Sequence, residues 1–236
     1  MNKFVAQLVH DIKNPVGNSM MYNEMLYESL KELQAQDGCG EVSELTEFSG
    51  NIKASLTNLV ELLDAWVISQ QIIEGEYSAQ ENPVTIDREI EEALAYFKSY
   101  HQRKNLNLIK NWEGSGGGYT LFTDGNIMSK VIRNMVYLLV NFADPNDTLQ
   151  FTILKSDDKL QVKMEDSYSH ARDFIYDRFT GCESWEEYEV PKEGIIKPAG
   201  YGLKFCGVAL KYLNAEPKVD KSDLGGLSLS FVLPVD

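Results

Sequence analysis

Apolar residues recur at three- and four-residue steps through the first part of the chain. Val5, Leu8, Val9, Ile12, Val16, Leu26, Leu30 and Leu33 follow that spacing, which gathers side chains on one face of an α-helix. The pattern predicts a helix over residues 3–36. Asp37-Gly38-Cys39-Gly40 interrupts it. Beyond the break, Leu45, Ile52, Leu59 and Trp66 stand seven apart, and Phe48, Leu56 and Leu63 fill a second seam. Such a heptad stripe packs against other helices, so a second helix is expected over residues 42–70. Two long helices on a short connection fold back as an antiparallel hairpin. One hairpin cannot bury a stripe this wide, but two can, as a four-helix bundle. A homodimer is therefore expected from this half.

The period changes after residue 70. Residues 74–83 are polar, hold Gly75 and Pro83, and read as a linker. Residues 86–103 read as one helix with Ile90, Leu94 and Phe97 on a side. Residues 106–112 alternate as a strand does. A glycine-rich turn over 114–118, a strand over 119–123 and an apolar helix over 124–142 follow. Residues 149–155 and 160–165 predict a hairpin turning at Asp157-Asp158. Residues 180–199 are polar and too long for an ordinary connector. A helix over 203–213 and a closing strand over 227–233 complete the pattern. Strands and helices mixed in this order predict an α+β fold with an α/β sandwich. The expected domains are a helical hairpin over 1–74 and the sandwich over 82–236.

Composition narrows the partners. A chain of 236 residues suits two domains. Its formal charge of −14 repels nucleic acid phosphates and anionic lipid, so neither is an expected partner. There is no apolar run long enough to cross a bilayer and no signal-peptide pattern at Met1, which predicts a cytoplasmic location. Cys39, Cys182 and Cys206 are odd in number and form no C-x-x-C pair. Reduced thiols are expected, not disulfides or zinc.

Candidate chemistry lies in the first helix, at Val9-His10-Asp11-Ile12-Lys13-Asn14-Pro15. His10 and Asn14 are four apart and share a helix face. A neutral imidazole is a good phosphoryl acceptor. The adjacent Asp11 carboxylate is placed to take or orient its proton, which makes the free nitrogen more nucleophilic. Asn14 is placed to orient a water for hydrolysis of a phosphoryl group on a docked partner. Pro15 removes one helical hydrogen bond just past the site. A histidine beside an aspartate on such a helix is commonly a solvated pair, so the rest of the chain carries the weight.

Residues 4–16, Phe-Val-Ala-Gln-Leu-Val-His-Asp-Ile-Lys-Asn-Pro-Val, closely resemble the H-box of sensor histidine kinases. That family carries the motif on the first helix of a dimeric hairpin and follows it with an ATP-binding α/β domain. The same order holds here over essentially the whole chain. The resemblance implies that His10 is phosphorylated, that Asp11 is the acid/base, and that Asn14 assists dephosphorylation of a response regulator. It implies a receiver domain and a second copy as partners, and ATP with Mg²⁺ as cofactors.

The second half resembles the family less faithfully. In the helix over 124–142, Asn134 matches the first of two asparagines four apart. The second, which helps hold Mg²⁺ in the family, is Leu138 here. Leucine has no oxygen for a hard cation, and Asn141 falls on another face. Asp166 matches the aspartate that receives the adenine amino group. The two glycines that should follow are replaced by Tyr168 and His170, which add bulk where the family brings backbone close to nucleotide. Ile175-Tyr176-Asp177-Arg178-Phe179 resembles the segment before the ATP lid, and residues 180–199 stand in the lid's place. Gly200 and Gly202 resemble the pair that opens a helix beneath the phosphates. The ATPase-type fold is thus expected with a degenerate ATP site. The expected function is phosphoryl transfer between His10 and the aspartate of a receiver domain. A divergent ATP-dependent autokinase and a non-catalytic dimeric interaction module are the alternatives.

Overall fold

In the computed structural model the chain forms two compact units, Met1–Glu74 and Gly75–Asp236. The structure describes residues 3–37, 40–113, 118–156, 158–167 and 197–234; within these, the side chains of residues 3–15 and of several other helical positions fall outside the description.

The first unit is α1 (Lys3–Asp37) and α2 (Gly40–Ile73). α1 continues through Pro15. The two helices run antiparallel, with Asn23 opposite Ser49 and Glu24 ion-paired to Lys53. Asn23 Nδ2 donates to the Ser49 carbonyl at 2.6 Å, and Ser49 Oγ lies 3.0 Å from Asn23 Oδ1. Both residues are buried, and each satisfies the other, as buried polar groups must. Leu30, Ala65 and Ile68 are buried in this unit. The heptad residues Leu45, Ile52 and Leu59 remain 51%, 49% and 40% exposed, and Phe48 59%. α1 adds exposed Met21, Met25, Leu26 and Leu33. A broad apolar face is therefore left uncovered by the pair itself.

The second unit runs β1 (Glu81–Thr85), α3 (Ile86–Tyr96), α4 (Lys98–Arg103), β2 (Asn107–Glu113), β3 (Thr120–Asp124), α5 (Gly125–Phe142), β4 (Thr148–Lys155), β5 (Lys159–Asp166), α6 (Lys197–Tyr212), β6 (Glu216–Lys221) and β7 (Leu227–Pro234). Five strands form a mixed sheet in the order β2-β4-β5-β7-β6. β2 and β4 are parallel and the other neighbours antiparallel. β1 and β3 make a separate antiparallel ribbon. The register aligns Phe151, Met164 and Leu229 in one row and Ile153, Val162 and Phe231 in the next. All six are fully buried; each contributes about 1.5–3 kcal/mol by leaving water. α5 and α6 contact the sheet at β5 and β6, and α3 packs on α5. The opposite face is polar: Thr152, Lys163, Ser230 and Lys218 form one row across four strands. This two-layer α+β architecture agrees with the expected fold class.

Three boundaries differ from the sequence reading. The linker expected over 74–83 ends inside β1, whose Pro83 is tolerated because the ribbon has only two strands. The helix expected over 86–103 breaks at Phe97 (φ −93, ψ 19). The Phe97 ring is buried and packs 5.4 Å from Tyr137, so tertiary packing sets the break. β6 was not anticipated. It is an edge strand of Glu216, Lys218, Asp220 and Lys221 with Val219 buried among them, and charged edges of this kind avoid further pairing.

Candidate functional site

His10, Asp11 and Asn14 lie on α1. His10 and Asn14 are about one turn apart, ~6 Å along the helix; all three side chains are outside the described residues.

In the second unit, α5 and α6 place the expected nucleotide residues. The two helices run antiparallel, with Gly202 against Asn134 and Cys206 against Val131. The contact at Gly202 is very close. A Cβ built there would stand 3.1 Å from Asn134 Cγ and closer still to its Oδ1. Asn134 Nδ2 donates to the Lys130 carbonyl at 2.8 Å, one turn back on its own helix. Two of the expected cofactor residues are thus brought together, and the carboxamide of Asn134 serves helix packing on both of its polar atoms' sides.

Leu138 follows one turn later and is 2% exposed. It belongs to the core of the unit and offers no oxygen. Among the described residues no group of three or more His, Cys, Asp or Glu side chains is arranged to hold a metal. Asn134 and Leu138 therefore do not fit a magnesium ion at the position the resemblance implied.

The glycine pair needs a correction. α6 begins at Lys197, so Gly200 and Gly202 are its fourth and sixth residues and do not open it. The donors left free at a helix start belong to its first four residues, so Gly200 stands at their limit and Gly202 lies beyond them, and Pro198 has no N–H to give. Gly202 instead permits the close approach to Asn134.

Asp166 ends β5 with its side chain fully buried. Its Oδ1 accepts the Leu227 N–H at 2.7 Å, which ties the first residue of β7 to the end of β5. Tyr168, His170, residues 175–179 and residues 180–196 of the expected lid lie outside the described residues.

One cluster escaped the sequence reading. Asp124 is buried and caps α5, its Oδ1 accepting the Ile127 N–H at 3.0 Å. Its Oδ2 accepts the Gln80 N–H at 2.8 Å and the Tyr77 hydroxyl at 3.2 Å. Burial, aided by the Asp124 charge, raises the Tyr77 phenol above its ordinary pKa of 10.0, so it remains a donor. At the other end of α5, Lys104 Nζ donates to the carbonyls of Val140, Asn141 and Ala143 at 3.0, 2.7 and 2.7 Å. Burial lowers the Lys104 pKa. An aspartate before an apolar helix is a readable cap signal. Its partners 44 and 47 residues away leave no local trace.

No protein-family model and no curated protein matches the chain. Solved structures do. Full-length ShkA in complex with AMPPNP matches over 100% of this chain and 46% of its own, with a TM-score of 0.62 and 16% identity. The histidine kinase AdeS of Acinetobacter baumannii matches over 92% and 96%, with a TM-score of 0.53 and 12% identity. The catalytic domain of the histidine kinase ThkA matches over 66% and 96%, with a TM-score of 0.51 and 13% identity. The chain has the fold of a histidine kinase catalytic core. No described helix is long and apolar enough to cross a membrane.

Proposed function

We propose that this chain is a two-component phosphotransfer protein that passes a phosphoryl group between His10 and the aspartate of a response-regulator receiver domain, with the ATPase-type unit as scaffold. The transfer balances simply. A ring nitrogen of His10 forms a bond to phosphorus as the acyl phosphate P–O bond breaks and the receiver carboxylate leaves. Asp11 orients the ring and takes its proton, and Asn14 positions water when the receiver is dephosphorylated. The uncovered apolar face of α1 and α2 supports a homodimer through this unit.

The observation that carries the reading is the pair Asn134 and Leu138. The first has its carboxamide committed to Lys130 and to the Gly202 contact. The second is a core leucine at the family's magnesium position. Phosphoryl transfer from ATP depends on metal and positioned donors at the phosphates, and this pair supplies neither.

A second reading rests on Asp166. It is retained and buried, and ShkA, of the same fold, was solved with AMPPNP. These favour a divergent autokinase that holds nucleotide through Asp166. Calorimetric titration with ATP and Mg²⁺, with a radiolabel assay for acid-labile phosphate on wild type and His10→Ala, separates the readings. No binding and no label from ATP, but label on His10 from a phosphorylated receiver domain, supports phosphotransfer. ATP-derived label lost in His10→Ala supports the autokinase. Absence of label from either donor leaves a non-catalytic dimeric module.

A further inference from the structure

The five-stranded sheet has two edges, and they differ. β6, at one edge, is charged at four of its six positions. β2, at the other, reads Asn-Leu-Ile-Lys-Asn-Trp-Glu, with Lys110 the one charge before its last residue. It pairs with β4 through all seven residues without a bulge. No described strand lies on its other side. Ile109 and Trp112 are half-buried there. An edge strand turns a row of backbone N–H and C=O groups away from its sheet, and proline, bulges or charge usually blunt it. β2 has neither proline nor bulge.

The same edge is basic in an acidic chain. Residues 93–112 hold four Lys and Arg, together with His101, and no Asp or Glu, although the whole chain carries a formal charge of −14. Lys98, His101 and Arg103 lie on α4. The Leu106 N–H donates to the His101 carbonyl at 3.0 Å, which turns α4 directly into the start of β2. Burial, and then the nearby charges of Lys98 and Lys110, lower the His101 pKa; the three groups are therefore neighbours in space. Lys110 stands in the row of Phe151 and Met164, on the helix-covered side of the sheet. Ile109 stands in the row of Gln150 and Glu165, on the opposite side. Lys110 is paired with Glu91 at 2.6 Å, while Lys98 is exposed.

We propose that the open edge of β2 accepts an extended acidic segment of a partner protein as a sixth strand. The segment's carboxylates lie on the helix-covered side, beside Lys98 and His101, and its apolar residues lie on the other, beside Ile109. Main-chain bonds supply affinity in such strand addition, and alternate side chains supply specificity. Charge selects the occupant: a carboxylate relieves the mutual repulsion of the cations around His101, and a lysine in its place adds to it. The site is independent of the source of the phosphoryl group on His10.

A synthetic seven-residue peptide of alternating glutamate and valine tests this on the full chain, with a lysine–valine peptide of the same length as control. Fluorescence anisotropy measures binding, and hydrogen exchange by mass spectrometry locates it. The acidic peptide should bind saturably, more weakly as salt is raised, and should slow exchange within residues 107–113 but not within 216–221. The lysine peptide should not bind. Lys98→Glu, at an exposed position, replaces an attraction by a repulsion and should weaken binding about fivefold to tenfold. Absence of saturable binding, or protection outside 107–113, would show that β2 is not an accepting edge. Equal binding of the lysine peptide, or unchanged affinity in Lys98→Glu, would refute the acidic occupant.

Discussion

Lys104 and Asp124 grip opposite ends of α5, a cation where the helix carbonyls run out and an anion where its N–H groups begin. Each charge matches the helix dipole at its end, and each comes from a neighbouring segment. The longest described helix of the second unit is therefore fastened at both termini. Replacing Lys104 by methionine keeps the stem and strands three carbonyls. Hydrogen bonds to a charged donor contribute roughly 1.5–3 kcal/mol. The second unit should melt about 4–8 °C lower in calorimetry, as expected for a loss of ~2 kcal/mol in a domain of this size.

Gly202→Ala sets two effects against each other. Alanine is favoured over glycine inside a helix by about 1 kcal/mol, but its methyl collides with the Asn134 carboxamide. In the wild-type background the substitution should be destabilising by roughly 1–2 kcal/mol, because the amide must leave its rotamer and its bond to Lys130. In an Asn134→Ala background it should become stabilising. Denaturant unfolding of the four proteins measures the coupling; additive effects would show that the two residues do not touch.

The Cys206 thiol is fully buried, lies 3.6 Å from the Val131 carbonyl, and is pushed well above the ordinary thiol range by burial. It has neither the thiolate nor the access that thiol reagents require. In a Cys39→Ser/Cys182→Ser background, an aromatic disulfide reagent at pH 8 should leave it unmodified for hours and label it fully in denaturant. Fast labelling under native conditions would mean that the α5–α6 interface opens readily.

The exposed heptad residues make a prediction about assembly. Ile52→Lys with Leu59→Lys changes two half-exposed positions, where substitutions cost little in the isolated unit. Light scattering should find a dimer for the wild type and a monomer for the double variant. A monomeric wild type would leave the apolar face without the partner proposed for it.

Tyr77 supplies a pH signature. Its pKa is raised in the folded state, so whatever stability its neutral phenol supplies is complete below the unfolded value of 10.0 and is lost as pH rises through the folded value. The stability difference between wild type and Tyr77→Phe should be flat from pH 6 to 9 and shrink above pH 10. A difference that grows with pH would reverse the assignment of the phenol as donor.

What the sequence made legible is what local period encodes. The α5 stripe, the β4–β5 hairpin and the two long helices follow from spacing alone. β1 and β6 did not, because Pro83 and the charges of residues 216–221 conceal an edge role that only neighbouring strands reveal. The start of α6 was placed at residue 203 because the polar stretch over 180–199 hid its first turn, in which a helix accepts a proline such as Pro198. Leu138 was readable as a missing oxygen; that it serves the core needed the packing of α5. The Tyr77–Asp124 bond joins residues 47 apart, and no periodicity reports such a tie.

The Asn23–Ser49 clasp has a consequence for how the first unit can move. Apolar seams are forgiving, since one leucine fits much as the next, and two helices held only by them can slip past one another by a turn. An amide and a hydroxyl buried in mutual contact have no equivalent partners a turn away, so slipping would strand both in a dry interior. The pair therefore behaves as one lever with a fixed alignment. Whatever turns α2 turns α1 with it, and the helix that bears His10 has no axial play of its own.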